Sequence, residues 1–260
     1  MAQLLRLSLV GALLAVLILP LALLADWSGD RRPMTKPPAA GAGGADKALV
    51  AGLRQALREN PEIVLEALQI LRDRQQRSSL EQASQAVRAH APEIFRNPDS
   101  PVGGNPNGDV TIVEFFDYRC QYCKRSHRVL ADLVAEDGRI RFVYKEFPIL
   151  GPESVEAARA ALAARRQGKY LPFHDALMRA RGALHGDRLF RIAESTGLDV
   201  DRLRADMAAP DIDRAIRENL RLARSLNIRG TPAFVIGERI VPGAIDRPAI
   251  DQLVRLARSG

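Results

Sequence analysis

The residues with the clearest chemical potential are Cys120 and Cys123, the only two cysteines among 260 residues, which are separated by Gln121 and Tyr122. A lone Cys-x-x-Cys pair can close a small disulfide and open it again. An apolar, strand-like run over 111–116 precedes the pair, and a helical pattern over 124–136 follows it. A strand, a Cys-x-x-Cys pair and a helix in this order predict a redox-active dithiol.

The spacing assigns the two sulfurs different tasks. Cys120 is expected at the N-terminus of the helix, where unpaired N–H groups and the helix dipole favour a thiolate. It is therefore the predicted attacking sulfur. Cys123 is expected one turn inside the helix, shielded, where it resolves the mixed disulfide. Gln121 and Tyr122 lie between the sulfurs, and we expect them to contact the substrate and to tune the reduction potential.

Two other interpretations of the cysteine pair are weaker. A structural zinc site needs about four ligands, and the chain has no second cysteine pair. His127 follows Cys123 by four residues, but the other histidines show no ligand spacing, and we expect His127 on the helix surface. A purely structural disulfide would close a very short loop and so stabilise weakly. No Gly-rich phosphate loop is present either, so neither a metal nor a nucleotide nor a flavin cofactor is predicted.

The charge of the chain argues against nucleic acid as a partner. The formal net charge is +7, from 38 basic and 31 acidic residues. Basic residues alternate with acids along predicted helices, as in 72–74, and no basic block with interleaved aromatic residues occurs. This pattern is typical of a solvated, arginine-rich surface.

The N-terminus contains an uncharged, leucine-rich stretch over 7–25, preceded by Arg6. It is longer than a usual signal-peptide core, and it reaches the length of a marginal membrane span. The best cleavage point follows Ala25, with a poorly matching Leu23. Residues 1–25 are therefore predicted to be either a signal peptide or a membrane anchor. Both place the rest of the chain in the periplasm or another extracytoplasmic compartment, where disulfide chemistry is common.

Three segments are predicted between this stretch and the dithiol. Residues 26–45 are rich in Pro, Gly and Ala and are expected to be a flexible linker. Residues 46–90 are expected to be helical, with a break at Asn60-Pro61 and an apolar stripe that must be covered. Packing on the chain's own domain and self-association both remain open as the cover. Residues 91–108 are rich in turn signals and are predicted to be a second linker.

The remaining segment, 109–260, alternates strand and helix patterns. The expected elements are a strand at 110–117, a helix at 120–136, a strand at 140–147, interrupted helices over 152–226, a hairpin around Gly237-Glu238 and a helix at 246–258. This order predicts an α/β fold: a thioredoxin-like sheet with an inserted helical domain, preceded by an N-terminal helical extension.

Three sequence blocks resemble the DsbA-like branch of the thioredoxin superfamily. They are EFFDYRCQYCK (114–124), KEFPILG (145–151) and GTPAF (230–234), in the family order and spread over 109–260. Residues 59–69 are similar to the N-terminal helical extension of ScsC-like and Com1-like relatives. In such relatives the extension mediates oligomer formation, and isomerase activity can depend on it.

The resemblance implies roles for two further pairs of residues. Thr231-Pro232 corresponds to the cis-proline loop opposite the dithiol, where the Thr231 backbone would dock an extended substrate peptide. Glu114 and Lys145 correspond to an acid and a lysine at matching positions. We expect Glu114 to be buried, to pair with Lys145, and to relay protons to and from Cys123.

The predicted function is an exported thiol–disulfide oxidoreductase that forms, reduces or isomerises disulfides in unfolded or misoxidised proteins and exchanges electrons with a membrane redox partner. The direction stays open. An oligomeric isomerase or reductase is supported by the extension and by Gln121-Tyr122, which departs from the Pro-His dipeptide of typical oxidases. A hypothesis from another class is a non-enzymatic envelope protein that binds Cu(I) through the thiolates or acts as a chaperone.

Overall fold

The computed structural model describes residues 42–259. The predicted signal peptide or anchor, 1–25, and most of the predicted linker, 26–45, lie outside these residues. Within 42–259, none of the helices has the length and apolar character needed to cross a membrane. The chain divides into two compact units, with the boundary between Val64 and Leu65.

The predicted helical extension consists of two helices, α1 (Ala42–Glu59) and α2 (Glu62–Ala89). The break between them falls at Asn60-Pro61 as predicted, and the Asn60 side chain donates to Ala56 O at the end of α1. Large apolar side chains along α1 and the first two-thirds of α2 are exposed: Leu49, Val50, Leu53, Ile63, Val64, Leu65, Leu68, Ile70, Leu71 and Leu80.

The second unit is built on a five-stranded sheet. Its strands are β1 (Val102–Gly104), β2 (Val110–Phe116), β3 (Ile140–Glu146), β4 (Ala233–Ile236) and β5 (Arg239–Pro242). The order across the sheet is β1-β3-β2-β4-β5, in which only β2 and β3 are parallel. A parallel pair requires a crossover connection, and α4 (Gln121–Asp137) supplies it.

The predicted helical insertion lies between β3 and β4. It comprises α5 (Pro152–Ala164), a 3-10 turn (Arg165–Gln167), α6 (Tyr170–Arg179), α7 (Gly186–Ser195), α8 (Val200–Met207) and α9 (Pro210–Ser225). The hairpin of β4 and β5 follows, and α10 (Arg247–Ser259) closes the domain. The predicted fold class, a thioredoxin-like sheet with an inserted helical domain, is confirmed.

Both faces of the sheet are covered, which explains why five of the seven residues of β2 are apolar. Val113 and Phe115 face α9, the end of α2 and the short helix α3 (Ala91–Phe95). Ile112 faces α4 and α10 on the other side. A third cluster fills the insertion, and it includes Phe116 and both cysteines. The dithiol therefore lies where the sheet, α4 and the insertion meet.

The prediction of a linker over 91–108 was wrong. This segment contains α3 and β1, Ile94 is fully buried, and β1 pairs with β3. The end of α2 also belongs to this core, since Val87 is 1% exposed. Turn residues dominate the segment, and a three-residue strand is too short to show an alternating pattern.

Candidate active site

Cys120 occupies the N-cap position of α4. Its backbone is extended, with φ −73° and ψ 115°, and its sulfur accepts a hydrogen bond from the backbone N–H of Cys123 at 3.3 Å. In the thiol form, Cys120 Sγ donates to Thr231 O, also at 3.3 Å. Both cysteines are free, while Gln121 and Tyr122 between them are exposed. The predicted arrangement of a dithiol at a helix N-terminus is therefore present.

The two sulfurs have opposite electrostatic environments. The pKa of Cys120 is lowered to about 5, first by a hydrogen bond with the Cys123 side chain, which together with bonds from Thr231 and backbone N–H groups outweighs burial. The pKa of the fully buried Cys123 thiol is raised, above all by burial, then by Cys120 and Glu114. Cys120 is thus a thiolate at neutral pH, and Cys123 remains a thiol.

The loop opposite Cys120 is built around a cis peptide bond between Thr231 and Pro232, as the resemblance implies. Gly243 N, just after β5, donates to Pro232 O at 2.8 Å and holds the loop. Thr231 is half-buried, and its carbonyl oxygen points at the Cys120 sulfur. The backbone of Thr231 therefore borders the position that a substrate sulfur must occupy.

Asp117 fixes the turn that leads from β2 to Cys120, although no sequence pattern singled it out. Its carboxylate accepts hydrogen bonds from the backbone N–H groups of Arg119, Ile149 and Leu150 and from Ser154 Oγ. Its backbone carbonyl accepts from Cys120 N at 3.0 Å. One buried side chain thus holds the strand end, the segment after β3 and the start of α5 together.

Glu114 lies in β2 beneath the dithiol and is 1% exposed. Its Oε1 atom has no hydrogen-bond partner within the described part of the chain. Burial raises its pKa to about 8, and Cys120 adds to the shift. Glu114 is close enough to contribute to the raised pKa of Cys123. The prediction that Glu114 is buried is confirmed, and its acid form predominates at neutral pH.

The predicted pairing of Glu114 with Lys145 is wrong. In the parallel register, Glu114 lies opposite Tyr144 and Phe115 lies opposite Lys145. Because side chains alternate along a strand, Glu114 and Lys145 point to opposite faces of the sheet. Lys145 Nζ instead donates to Glu93 O at 2.6 Å and to Ser100 Oγ at 2.7 Å. Burial lowers its pKa to about 8, although Glu93 acts in the other direction.

A further buried carboxylate, Glu146, was missed. Its Oε1 atom accepts hydrogen bonds from Tyr118 OH at 2.9 Å and from Tyr170 OH at 2.8 Å. The Tyr118 oxygen also lies 2.9 Å from His174 Nδ1. Because Tyr118 donates to Glu146, Nδ1 must carry the proton of a neutral His174, whose pKa is lowered chiefly by burial. Burial raises the pKa of Glu146 above its usual range. An acid at the end of strand β3, directly after Lys145, was the available signal.

His127 is not on the helix surface as predicted. Its side chain is 11% exposed, and Nε2 lies 2.9 Å from Asp175 Oδ1, because α6 covers this face of α4. A cavity of about 210 Å³ is lined by His127, Glu114 and Tyr144 among others. This volume is large enough for several water molecules, and these three polar side chains in an otherwise apolar lining offer them partners. The cavity therefore links the buried carboxyl of Glu114 to the neighbourhood of His127.

The DSBA-like thioredoxin domain family matches residues 111–255. Among solved structures, a thioredoxin-like oxidoreductase from Silicibacter pomeroyi DSS-3 is 46% identical, with a TM-score of 0.64, and the alignment covers 65% of this chain and 98% of that one. A linker-deletion variant of Proteus mirabilis ScsC is 26% identical, with a TM-score of 0.65, and the alignment covers 85% of this chain and 99% of that one. The second match extends beyond the region that the family covers.

Among curated proteins, the Na(+)/H(+) antiporter NhaA of Herminiimonas arsenicoxydans is 29% identical over 177 residues, which make up 66% of this chain and 28% of the antiporter. The chain thus spans little more than a quarter of the length of this relative.

Proposed function

Because the chain belongs to the DSBA-like thioredoxin domain family, we propose that it is a thiol–disulfide oxidoreductase acting on cysteines of exported proteins. The observation that carries the proposal is the state of Cys120. Its sulfur caps α4, has a pKa of about 5, and lies 3.3 Å from the carbonyl oxygen of Thr231. A thiolate at neutral pH beside a backbone edge combines a nucleophile with a place to hold an extended peptide.

The proposed exchange passes through one mixed disulfide. When the protein is oxidised, a substrate thiolate attacks Cys120, the Cys120–Cys123 bond breaks, and Cys123 leaves and takes a proton. A second substrate thiolate then displaces Cys120, so two electrons move from substrate to protein as the substrate disulfide forms. When the protein is reduced, the Cys120 thiolate attacks a substrate disulfide, and Cys123 resolves the mixed disulfide by losing its proton.

Glu114 is the proposed proton acceptor and donor for Cys123. Cys123 must lose a proton to attack the mixed disulfide, yet its buried position raises its pKa. Glu114 is the buried acid beside it, with an unpartnered oxygen and a pKa of about 8. A carboxyl group with a pKa near the working pH is well suited to general acid–base catalysis. The cavity that also touches His127 would let that proton reach solvent through water.

The direction of exchange that the site favours is oxidation or isomerisation rather than reduction. A low thiolate pKa stabilises the reduced dithiol and makes the disulfide a stronger oxidant. We expect the reduction potential of the Cys120–Cys123 pair to lie well above the about −270 mV of thioredoxin and toward the about −120 mV of a strong oxidant. Equilibration with glutathione measures it, and a value at or below that of thioredoxin would overturn this direction.

Replacement of each cysteine tests the proposed roles. A reduced, unfolded substrate protein is oxidised in the presence of each variant. Cys123→Ser should accumulate a mixed disulfide with this substrate, because the resolving sulfur is missing. Cys120→Ser should trap none, because Cys123 is buried. Mass spectrometry after acid quenching detects the adduct. Equal trapping by both variants would contradict the assignment.

The exposed apolar side chains of α1 support a proposal of self-association. Leu49 and Leu53 are 72% and 57% exposed, and burying them between copies of the chain would be favourable. Leu49→Glu with Leu53→Glu should lower the mass measured by analytical ultracentrifugation and reduce repair of a scrambled disulfide substrate. Lys47→Glu with Arg54→Glu, at exposed polar positions of the same helix, is the control. An unchanged mass for the leucine variant would refute self-association through α1.

Export to the periplasm and a membrane redox partner complete the proposal. The leucine-rich stretch over 7–25 and the family's disulfide chemistry support both. Trapping of the cysteine state by alkylation in intact cells tests them. A dithiol that stays in one state when the exporting machinery or the membrane electron carriers are blocked would contradict this part.

A further inference from the structure

A pocket of about 560 Å³ opens beside the dithiol on the exposed side of α4. Its walls come from α4, from the end of α6 and from the loop after it. Five of its lining residues are cationic and none is acidic, and Gln121, which follows Cys120 directly, also lines it. We call this the basic pocket; its polar lining consists of Gln121, Lys124, Arg125, His127, Arg128, Arg179 and Arg181.

Several cations of the basic pocket lack acidic partners. Arg128 and Arg181 form no ion pair with any residue in 42–259, and Arg125 stacks on the Tyr122 ring with its guanidinium 4.3 Å from the ring centroid. Lys124 Nζ donates to the carbonyl oxygens of Leu177 and Ala180 instead of to a carboxylate. Among the described residues, Arg179 is the one arginine or lysine of the pocket in an ion pair; it contacts Asp175 at 2.9 Å, and Asp175 also contacts His127.

Two other arginines of the same domain show what neutralisation by acids looks like. Arg166 contacts Asp206 and Asp211, and Arg258 contacts Asp109 and Asp137. The basic pocket differs from these two sites because its cations share one concavity whose lining contains no acidic residue. Unpaired cations that line one concavity attract anions to it and repel one another when it is empty.

The basic pocket adjoins the reacting sulfur through Gln121, which lines the pocket and directly follows Cys120. Side chains next to a substrate cysteine that is bonded to Cys120 are therefore expected close to this pocket. We propose that the basic pocket binds Asp or Glu side chains close to the reacting cysteine of a polypeptide, so that the protein prefers acidic substrate segments. This inference rests on the proposed function and narrows its substrate class.

The chemistry of the pocket favours carboxylates on a peptide over other occupants. Guanidinium groups match carboxylates in bidentate geometry, whereas apolar side chains would gain little from a lining so rich in charge. Single-stranded nucleic acid usually needs a longer basic groove with several aromatic platforms, and the described lining contains none. Long-range attraction would also raise the association rate of acidic segments at low ionic strength.

The test uses two peptides of equal length, each with one cysteine held in a mixed disulfide. One peptide has Glu-Glu beside the cysteine, and the other has Gln-Gln. The full-length reduced protein should reduce the acidic peptide with a second-order rate constant about three- to tenfold higher at low salt, as expected for one or two solvent-exposed ion pairs. The ratio should fall toward one in about 0.5 M NaCl because salt screens such pairs. Equal rate constants at low salt would overturn the proposal.

Charge-reversal variants localise the effect. Arg128→Glu with Arg181→Glu should abolish or invert the preference, measured as the ratio of the two peptides so that any change in Cys120 reactivity cancels. Arg191→Glu with Arg217→Glu changes the net charge equally at exposed positions that make no ion pair within residues 42–259, and it should keep the ratio. The same loss in both variants would show a general charge effect and refute the pocket.

A binding measurement separates this inference from the proposed function. Fluorescence anisotropy with peptides that carry Ser in place of Cys reports binding without exchange. Tighter binding of the Glu-Glu peptide, lost in Arg128→Glu with Arg181→Glu, would support the pocket even if no exchange occurred. Failure of exchange with both cysteine peptides would contradict the proposed function alone. Tighter binding of a single-stranded RNA oligomer than of the acidic peptide would refute the peptide assignment.

Discussion

Two carboxylates on the same face of adjacent parallel strands, Glu114 in β2 and Glu146 in β3, are equally buried but differently bonded. Each is 1% exposed. Glu146 accepts two tyrosine hydroxyls, whereas Glu114 Oε1 has no partner among the described residues. Both pKa values are raised first by burial. The difference shows that burial alone does not reveal the role of an acid: its partners do.

The contrast has a physical basis. An unsatisfied buried polar group costs about 1–3 kcal/mol, so a folded chain keeps few of them. Glu146 is satisfied and ties β3 to the insertion through Tyr170. Glu114 keeps an oxygen free at the one place where a neighbouring thiol must gain and lose a proton. We therefore expect a structural role for Glu146 and a functional role for Glu114, and each can be tested.

The largest expected effect is on stability at Glu146. Glu146→Ala removes the acceptor of two buried hydroxyl groups and leaves a cavity, so we expect a loss of about 3–5 kcal/mol in the free energy of unfolding. Urea unfolding of the reduced protein at pH 7 measures it. Glu194→Ala, at an exposed position of α7, should change the free energy by less than about 0.5 kcal/mol. Similar urea midpoints for Glu146→Ala and Glu194→Ala would contradict the structural role of Glu146.

Glu114→Gln should change the free energy of unfolding in the opposite direction to Glu146→Ala, toward greater stability. The folded pKa of about 8 lies above the usual 4.5, so the unfolded state releases its proton first, and the wild type loses stability as pH rises from 4.5 to 8. Gln does not titrate and avoids this loss. The variant should therefore gain on the order of 2–4 kcal/mol relative to wild type between pH 4.5 and pH 8.5.

Unfolding of the reduced wild type and of reduced Glu114→Gln at the two pH values measures this gain. The titration of Cys120 contributes to the stability of both proteins and cancels in the difference between them. The gain should be smaller in the disulfide form, because the Cys120 thiolate is the second cause of the shift. Parallel stability curves for the two proteins would show that Glu114 is not the titrating group.

The next largest effect is expected on the rate at which Cys123 resolves the mixed disulfide. In the wild type, resolution of the mixed disulfide by Cys123 should speed up with pH until Glu114 is ionised, below the pKa of about 8 that Glu114 has in the reduced protein, because Cys120 carries no charge in the mixed disulfide. Glu114→Gln should remove this rise and slow resolution on the order of tenfold or more at neutral pH, as for loss of a general base. Rapid acid quenching of a preformed mixed disulfide gives the rate. An unchanged pH profile would contradict the role of Glu114.

The smallest effect on exchange is expected at Lys145, which faces away from Glu114. Lys145→Met keeps the apolar stem but removes donors to Glu93 O and Ser100 Oγ. We expect a stability loss of about 1–3 kcal/mol and no change in the pH profile of disulfide exchange. A shifted profile would mean that Lys145 influences Glu114 through the sheet, despite the register.

The features that could be predicted from the sequence are those encoded locally. β2, α4 and β3 follow from apolar runs and helical spacing, and their observed ends lie within one residue of the predicted ones. Cys120 at a helix N-terminus follows from the same local pattern. The cis bond at Thr231-Pro232 came from the family resemblance instead, since no local pattern distinguishes it from a trans turn.

The features that could not be predicted depend on pairing between distant segments. Glu114 and Lys145 both lie in largely buried strands, and only the register shows that they occupy opposite faces. His127 is buried by α6, which begins 43 positions later in the chain. The partners of Glu146 are likewise tyrosines that lie 28 and 24 positions away. Such contacts leave no periodic signal in a single sequence.

The hydrogen bonds of Lys145 also define where the domain can be cut. The ammonium group is held by oxygens of Glu93 and Ser100, so a fragment that begins at Asp109 would leave a buried cation without acceptors and β3 without its neighbour β1. With Val87 buried as well, a module that could be exchanged between proteins or fused to another chain must carry the last turns of α2. Evolutionary shuffling of this domain would therefore have to respect a border inside a helix.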